Sequence, residues 1–272
     1  MSRLAACFEA LRGGRRRALV TYVTAGDPEP ESTPDLLHAL AEAGADILEL
    51  GVPFSDPTAD GPAIQAAHER ALAHGVCLAD ALDMVADFRR QDDSTPIVLM
   101  GYLNPIEAMG ATAFADAAAQ MGVDGVIAVD LPPEEAAPLH ALLRERDIDL
   151  IFLVAPTTTD ARIKRIAALA SGFIYYVSLT GTTGAGTLDT AAVADKLGDV
   201  RAHTDLPIAV GFGVRSGESA AALAQTADAV VVGSALIERI VAADNDAARR
   251  QTAGDFVGEL RAALDNAMAA PA

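Results

Sequence analysis

The chain has 272 residues, 51% of them apolar, with a formal net charge of −18 and a sequence pI near 4.5. Such acidity argues against nucleic acid as a ligand, because phosphate backbones are bound by lysine and arginine. No apolar run approaches the length of about 18 residues that indicates a membrane-spanning helix. Cys7 and Cys77 form no CxxC pair, so reduced thiols in a cytoplasmic protein are expected.

Short apolar runs alternate with alanine-rich helical patterns along the whole chain. The runs predict eight strands, at residues 18–24, 46–51, 97–101, 125–129, 150–154, 173–178, 208–212 and 229–232. Most of them are continuously apolar, which is typical of strands covered on both faces. The helical patterns fall at residues 2–11, 31–43, 63–73, 79–90, 134–146, 160–170, 190–202, 218–225 and 247–269.

This alternation, without a linker, predicts an α/β fold: one (β/α)8 TIM barrel over residues 1–272. An extra N-terminal helix and a helical insertion after strand 2 complete the pattern. An open doubly wound sheet is the alternative. It is less favoured because the strand count is high and no G-x-G-x-x-G follows the first strand. The active site of a barrel lies at the carboxyl ends of its strands, so polar residues there are the candidates.

Glu49 lies near the carboxyl end of the second predicted strand. Alternation puts it on the same face as Ile47, whereas Leu48 and Leu50 face the helices, so Glu49 is expected to point into the barrel. Burial disfavours the charged form of a carboxyl group and raises its pKa, which suits proton transfer near neutral pH. A structural glutamate bonded to an arginine is the alternative, but the predicted strand ends carry no arginine.

Asp60 follows on the loop after the same strand. An Asp-Gly pair is a common turn, and Asp60 could simply cap the helix that begins near Pro62. Its position on the same rim as Glu49 favours a functional role.

Glycine-rich segments follow three further strands. The run TGTTGAG at 180–186 predicts a lid that closes over substrate, with an ordinary flexible connection as the alternative. The GFG at 211–213 and VGSAL at 232–236 follow the last two strands, and VGSAL opens a helix. Backbone N–H groups at such loops, with the Ser234 hydroxyl, predict a phosphate site.

Lysines and histidines are absent from the predicted strand ends. A Schiff-base enzyme needs a lysine in its site, and no histidine pair has metal-ligand spacing. All five histidines are interpreted as surface or satisfied residues: His38, His68, His74, His140 and His203. What remains is acid–base chemistry by carboxylates on a phosphorylated small molecule, with no metal.

Several motifs resemble the tryptophan synthase alpha chain family, in order over nearly the whole chain. The longest is ELGVPFSDPTADGPAIQAA at 49–67. The others are YLNP at 102–105, DGVIAVDLPPEE at 124–135, APTT at 155–158, the segment 175–186, GFGV at 211–214 and GSAL at 233–236.

The resemblance implies a (β/α)8 lyase that cleaves indole-3-glycerol phosphate to indole and glyceraldehyde 3-phosphate by a retro-aldol step in tryptophan biosynthesis. It implies no cofactor in this chain. The partner would be a beta chain that carries pyridoxal phosphate, in an αββα heterotetramer. The loop around Phe54, Asp56 and Pro57 would face that partner.

Roles for individual residues follow from the same resemblance. Glu49 matches the general acid–base residue, Asp60 the carboxylate that bonds the indole N–H, and Tyr175 a pocket tyrosine; these three are the expected catalytic residues. Thr183 matches a lid residue that orients Asp60. The remaining substrate contacts are expected at Tyr22, Met100, Tyr102, Gly184, Phe212, Gly213, Gly233 and Ser234.

Three positions depart from the family pattern. Tyr22 stands where the family often has phenylalanine, and its hydroxyl needs a partner. Thr58 replaces a common leucine, and Val129 is bulkier than the frequent alanine. Two alternative functions stay open at this point. One is a sugar-phosphate isomerase or epimerase, and the other is a non-catalytic regulatory subunit.

Overall fold

The computed structural model describes residues 2–177, 190–211 and 213–269. In these residues a parallel sheet has the order β5-β4-β3-β2-β1-β9-β8-β7-β6. The strands are β1 Ala18–Thr24, β2 Ile47–Gly51, β3 Ile97–Gly101, β4 Gly125–Ala128, β5 Asp149–Leu150, β6 Phe152–Val154, β7 Ile174–Val177, β8 Ile208–Gly211 and β9 Ala229–Val232.

The predicted barrel is confirmed, with one strand in two pieces. The run predicted at 150–154 is interrupted at Ile151, so that β5 pairs with β4 and β6 pairs with β7. The backbone N–H of Ile151 donates to the carbonyl of Val126 at 2.9 Å, which continues the ladder across the break. The ring of strands therefore closes through this interrupted strand.

The helices surround the sheet. They are α1 Arg3–Gly13, α2 Thr33–Glu42, α3 Pro62–Ala73, α4 Leu78–Arg89, α5 Leu103–Met109, α6 Ala111–Met121, α7 Ala137–Arg144, α8 Asp160–Leu169, α9 Thr190–Arg201, α10 Gly217–Ala224, α11 Ser234–Val241 and α12 Asp246–Ala269. The N-terminal helix and the extra helix between β2 and β3 agree with the prediction. Across the described ranges, none of these helices is long and apolar enough to cross a bilayer.

The pair α5 and α6, between β3 and β4, was not predicted. Pro105 lies in the first turn of α5, where the backbone N–H has no helical acceptor, so the proline does not break the helix. Gly110 separates the two helices at φ +90°, a conformation that glycine adopts without strain. The alanine-rich run after it then forms α6.

Two apolar layers flank the sheet. Inside the barrel, alternate strand residues such as Ile47, Val98 and Ile127 form one buried cluster. Helix α1 adds Leu4 and Phe8 to this cluster and closes the barrel at the amino ends of the strands. The opposite strand residues pack against the helices in the second, larger cluster. The carboxyl ends of the strands are therefore left for a site.

Two arginines pair with one buried carboxylate at the amino end. The carboxylate of Asp124, which is 4% exposed, lies 2.9 Å from Arg3 and 2.6 Å from Arg89. It also accepts the backbone N–H of Ile97 at 2.8 Å. Its charge and its hydrogen-bonding capacity are thus both satisfied, as a buried carboxylate requires.

Candidate active site

Glu49 points into the barrel at the carboxyl end of β2. Its neighbour Ile47 belongs to the interior cluster, whereas Leu48 and Leu50 belong to the helix-facing one. The side chain is 1% exposed, and neither carboxyl oxygen has a hydrogen-bond partner among the described residues. Burial, and secondarily the charge of Asp60, raise the pKa of Glu49 to about 8. This carboxyl group therefore holds its proton at neutral pH.

Asp60 is hydrogen-bonded to Tyr102, which directly follows the neighbouring strand β3. The Tyr102 hydroxyl donates to Oδ2 of Asp60 at 2.7 Å and accepts the backbone N–H of Ala59 at 3.0 Å. Burial raises the pKa of Asp60, and the bond from Tyr102 acts in the other direction by favouring the carboxylate. Helix α3 has Gly61 at its N-cap position without a side-chain cap. Asp60 thus does not serve as the helix cap that the sequence left open.

Tyr22 and Tyr175 fill the mouth of the barrel. A Cβ atom on Gly51 would collide with the Tyr22 hydroxyl, and one on Gly211 would collide with the Tyr175 hydroxyl. Burial is the main cause that raises the pKa of both phenols far above the usual value. The charge of Asp60 adds to this shift at Tyr22, and that of Glu49 adds to it at Tyr175. The two phenols therefore remain protonated donors beside the two carboxyl groups.

His68 is a member of this site that the sequence analysis missed. It lies on α3, is 2% exposed, and accepts the backbone N–H of Phe54 at Nδ1, at 2.9 Å. Its Nε2 atom lies 3.3 Å from the Tyr22 hydroxyl, which also lies 3.3 Å from Oγ1 of Thr24. The tyrosine hydroxyl that departs from the family pattern thus has two partners.

The segment between β9 and α11 provides free backbone donors. Leu236 and Ile237 donate to the carbonyl of Gly233. The N–H groups of Ser234 and Ala235 precede these bonds and have no helical acceptor. Gly233 lies against Tyr22: a Cβ atom added to this glycine would be 3.4 Å from Cβ of Tyr22. This helix terminus therefore borders the tyrosine pocket. It offers a place for an anion within reach of that pocket.

The other predicted residues are distributed as follows. Met100 is partly buried and packs against the apolar cluster around Tyr22. Gly213 is exposed and has φ +80°. Asp130, which was not predicted as a site residue, follows β4 and accepts the first backbone N–H of α5, that of Leu103, at 2.7 Å. Thr183, Gly184 and Phe212 lie outside the described residues.

A cavity of about 580 Å³ lies at the opposite end of the barrel. Its lining includes Arg12, Arg15, Arg16 and Arg17, of which Arg17 directly precedes β1. It therefore opens at the amino ends of the strands, away from the candidate carboxylates. In the described ranges, no group of three or more His, Cys, Asp or Glu residues could hold a metal ion.

Comparison with known proteins identifies close relatives. A family model described as tryptophan synthase alpha chain matches residues 8–265. The tryptophan synthase alpha chain of Thioalkalivibrio sulfidiphilus is 60% identical over 266 residues, covering 97% of this chain and 100% of the relative. That of Methylococcus capsulatus is 56% identical over 266 residues, with the same coverage of 97% and 100%.

Solved structures show the same similarity. Tryptophan synthase subunit alpha from Legionella pneumophila strain Paris has a TM-score of 0.91 at 44% identity, covering 98% of this chain and 99% of that one. A chain from the aminoacrylate-bound form of Mycobacterium tuberculosis tryptophan synthase has a TM-score of 0.87 at 37% identity, covering 97% and 100%.

Proposed function

The chain belongs to the tryptophan synthase alpha chain family, whose members cleave indole-3-glycerol phosphate, and we propose that Glu49 and Asp60 carry that reaction here. The observation that carries the proposal is the buried carboxyl group of Glu49, which is left without a partner in the described structure. Such a group costs folding free energy, and it is poised to exchange a proton with a bound molecule.

The first step is protonation of the indole ring. Glu49, protonated because its pKa is about 8, donates its proton to C3 of the indole. The ring loses aromaticity and becomes an indolenine cation with positive charge at N1. Asp60, as a carboxylate stabilised by the Tyr102 hydroxyl, accepts a hydrogen bond from N1–H and stabilises that charge.

The second step breaks the carbon–carbon bond. Glu49, now a carboxylate, takes the proton of the side-chain hydroxyl that neighbours C3. The oxygen forms the aldehyde carbonyl, the bond to C3 breaks, and its electron pair neutralises the indolenine cation. Indole and glyceraldehyde 3-phosphate result, and Glu49 is protonated again, so the atoms and charges balance. The two carboxyl groups need different protonation states at one pH, and their different surroundings favour this.

The remaining site residues hold the substrate. Tyr22, Met100 and Tyr175 line an apolar space for the indole ring. The phosphate binds beside Gly233, to the free N–H groups of Ser234 and Ala235 and to the Ser234 hydroxyl. We expect Gly213, Thr183, Gly184 and Phe212 to contact the substrate as well, and Thr183 to orient Asp60. A neutral phosphate cradle of backbone donors suits a chain with net charge −18, since it requires no lysine.

The partner is a beta chain that carries pyridoxal phosphate and consumes the indole, in an αββα tetramer. The loop around Phe54, Asp56 and Pro57, of which Asp56 is exposed, is the proposed contact, because it leads directly into Asp60. Binding there would order the catalytic carboxylate. We therefore expect weak activity of the isolated chain and strong activation by the beta chain. Equal steady-state rates with and without the beta chain would count against this contact.

The test is release of indole from indole-3-glycerol phosphate, with and without a beta chain. The variants are Glu49→Gln and Asp60→Asn, and the control is Glu145→Gln, an exposed glutamate far from β2 in sequence. We expect both site variants to lose activity and the control to keep it. Activity that persists in Glu49→Gln would favour a regulatory subunit. No indole release by the wild type would leave an isomerase or epimerase, which the family assignment does not favour.

A further inference from the structure

A chain of hydrogen bonds runs beside the proposed site, and the two chemical steps do not use it. It joins the backbone N–H of Phe54 to His68, His68 to Tyr22, and Tyr22 to Thr24, at 2.9, 3.3 and 3.3 Å. All three side chains in it are at most 3% exposed. The inference drawn from it rests on the proposed function, because it concerns how Asp60 is positioned.

The donors in this chain can be assigned from the backbone. A backbone N–H can only donate, so Nδ1 of His68 must be the acceptor and carries no proton. The imidazole is then neutral with its proton on Nε2, which donates to the Tyr22 hydroxyl. That hydroxyl in turn donates to Oγ1 of Thr24. A protonated imidazole would have no acceptor for the N–H of Phe54.

Phe54 connects this series of hydrogen bonds to Asp60. Its ring stacks on Tyr102, with ring centroids 4.8 Å apart and an angle of 24° between the planes. The Tyr102 hydroxyl donates to Asp60 at 2.7 Å. A displacement of Phe54 would therefore move the ring that holds the carboxylate.

We propose that His68 is a positioning residue for Asp60: as a neutral imidazole it fixes the loop after β2 to the barrel through Phe54 and Tyr22. The same contact makes the loop sensitive to acid, because protonation of His68 removes the acceptor for Phe54 and releases the loop. No substrate atom needs to touch the imidazole for this effect.

The surroundings keep the imidazole neutral. Burial is the main cause that lowers the pKa of His68, whereas the charges of Asp60 and Asp27 act in the opposite direction. Asp27 is itself paired with Arg70 at 2.6 Å, which weakens its attraction for a proton on His68. From α11, Ile237 packs beside Tyr22 and adds apolar cover.

The test uses two substitutions at the same position. His68→Asn keeps an acceptor where Nδ1 lies and is expected to hold Phe54. His68→Leu removes both the acceptor and the donor and fills the space with an apolar side chain. His74→Asn, at the exposed end of α3, is the matched control on the same helix.

Three measurements on the full chain follow. In ¹⁵N-labelled protein, His68 is expected to be neutral with its proton on Nε2, and the Phe54 amide is expected to be protected from hydrogen exchange. His68→Leu should speed that exchange by roughly tenfold and His68→Asn by less than about threefold. With indole-3-glycerol phosphate, kcat should fall in parallel at nearly constant KM, because Asp60 acts on the charge that develops during reaction.

A proton on Nδ1, or an unchanged Phe54 amide in His68→Leu, overturns the proposal. So does a kcat of His68→Leu equal to that of the control. If the wild type releases no indole, the proposed function fails instead, and the exchange and tautomer data still decide the role of His68.

Discussion

A carboxyl group is buried at each end of the barrel. The one at the amino end is paired, and the one at the carboxyl end is not. At the amino end, Asp124 pairs with Arg3 and Arg89 and accepts a backbone N–H. At the carboxyl end, Glu49 is 1% exposed and has no hydrogen-bond partner in the part of the chain that the structure describes. Both residues are buried, so burial alone does not separate a structural carboxylate from a functional one.

The difference lies in what removal of each group would leave behind. Without Asp124, the largely buried Arg89 side chain, which is 10% exposed, would lose its closest partner. Without the carboxyl group of Glu49, no protein group in the described structure would lose a hydrogen bond. The fold therefore depends on the first carboxyl group and tolerates the second, which suggests that a bound molecule supplies the missing partner.

Amide substitution at the carboxyl end tests this comparison most strongly. Glu49→Gln keeps the size of the side chain but cannot shuttle a proton. We expect its kcat for indole release to fall by about 10²- to 10⁴-fold, the range for loss of a general acid–base group. The free energy of unfolding at neutral pH should not decrease, as urea denaturation would show. A large loss of stability in this variant would mean that Glu49 is structural.

The same substitution at the amino end should have the reverse effect. Asp124→Asn leaves Arg3 and Arg89 facing an uncharged amide, so the free energy of unfolding should fall by about 3 kcal/mol. Its kcat for the folded protein, measured well below the unfolding temperature, should match the wild type. A variant that is stable but inactive would contradict the division between the two ends.

The pH dependence of stability sharpens the contrast. The pKa of Glu49 is about 8 in the folded chain against an ordinary value of 4.5, so the folded state binds this proton more tightly. Stability from this group is therefore fully present below about pH 4.5 and is lost as the pH rises toward 8. Relative to Glu49→Gln, the wild type should lose a few kcal/mol over that range. Parallel curves for the two proteins would disagree with the raised pKa.

The smallest expected effect concerns the support of Asp60. Tyr102→Phe keeps the ring that stacks on Phe54 but removes the hydroxyl that bonds Asp60. We expect kcat to fall by roughly tenfold, the cost of about one charge-assisted hydrogen bond. The pKa of Asp60 should rise, so the acid side of the pH–rate profile should move to higher pH.

Tyr176→Phe is the matched control for this substitution. Tyr176 is also buried, but it lies on the helix-facing side of β7. An equal loss of activity in the control would show that the effect is not specific to Asp60.

Much of this site could be predicted from short-range patterns. The alternation along residues 47–51 gave the inward direction of Glu49, because side chains of a strand alternate strictly between its two faces. Gly233, directly before Ser234, predicted the free helix terminus at the carboxyl end of β9. Such features depend on a few neighbouring residues, so one sequence is sufficient to detect them.

The role of His68 could not be predicted in this way. It is one of several histidines on helices, and what distinguishes it is the approach of Phe54 and Tyr22 from two other segments. Its position on the inward face of α3 was available as a signal, since Ala67 and Ala71 beside it are buried. The Tyr22 hydroxyl was a second signal, because the sequence showed no partner for it and a buried phenol needs one. Helical periodicity indicates that His68 is buried, but it does not reveal which residues of other segments contact the imidazole.

We expect the buried carboxyl group of Glu49 to hold its proton at neutral pH. Its titration can be followed directly by ¹³C NMR of glutamate-labelled protein, with Glu49→Gln to assign the resonance. We predict one carboxyl group with a pKa near 8, missing from the variant. A Glu49 resonance that titrates near the ordinary value of 4.5 would contradict the account.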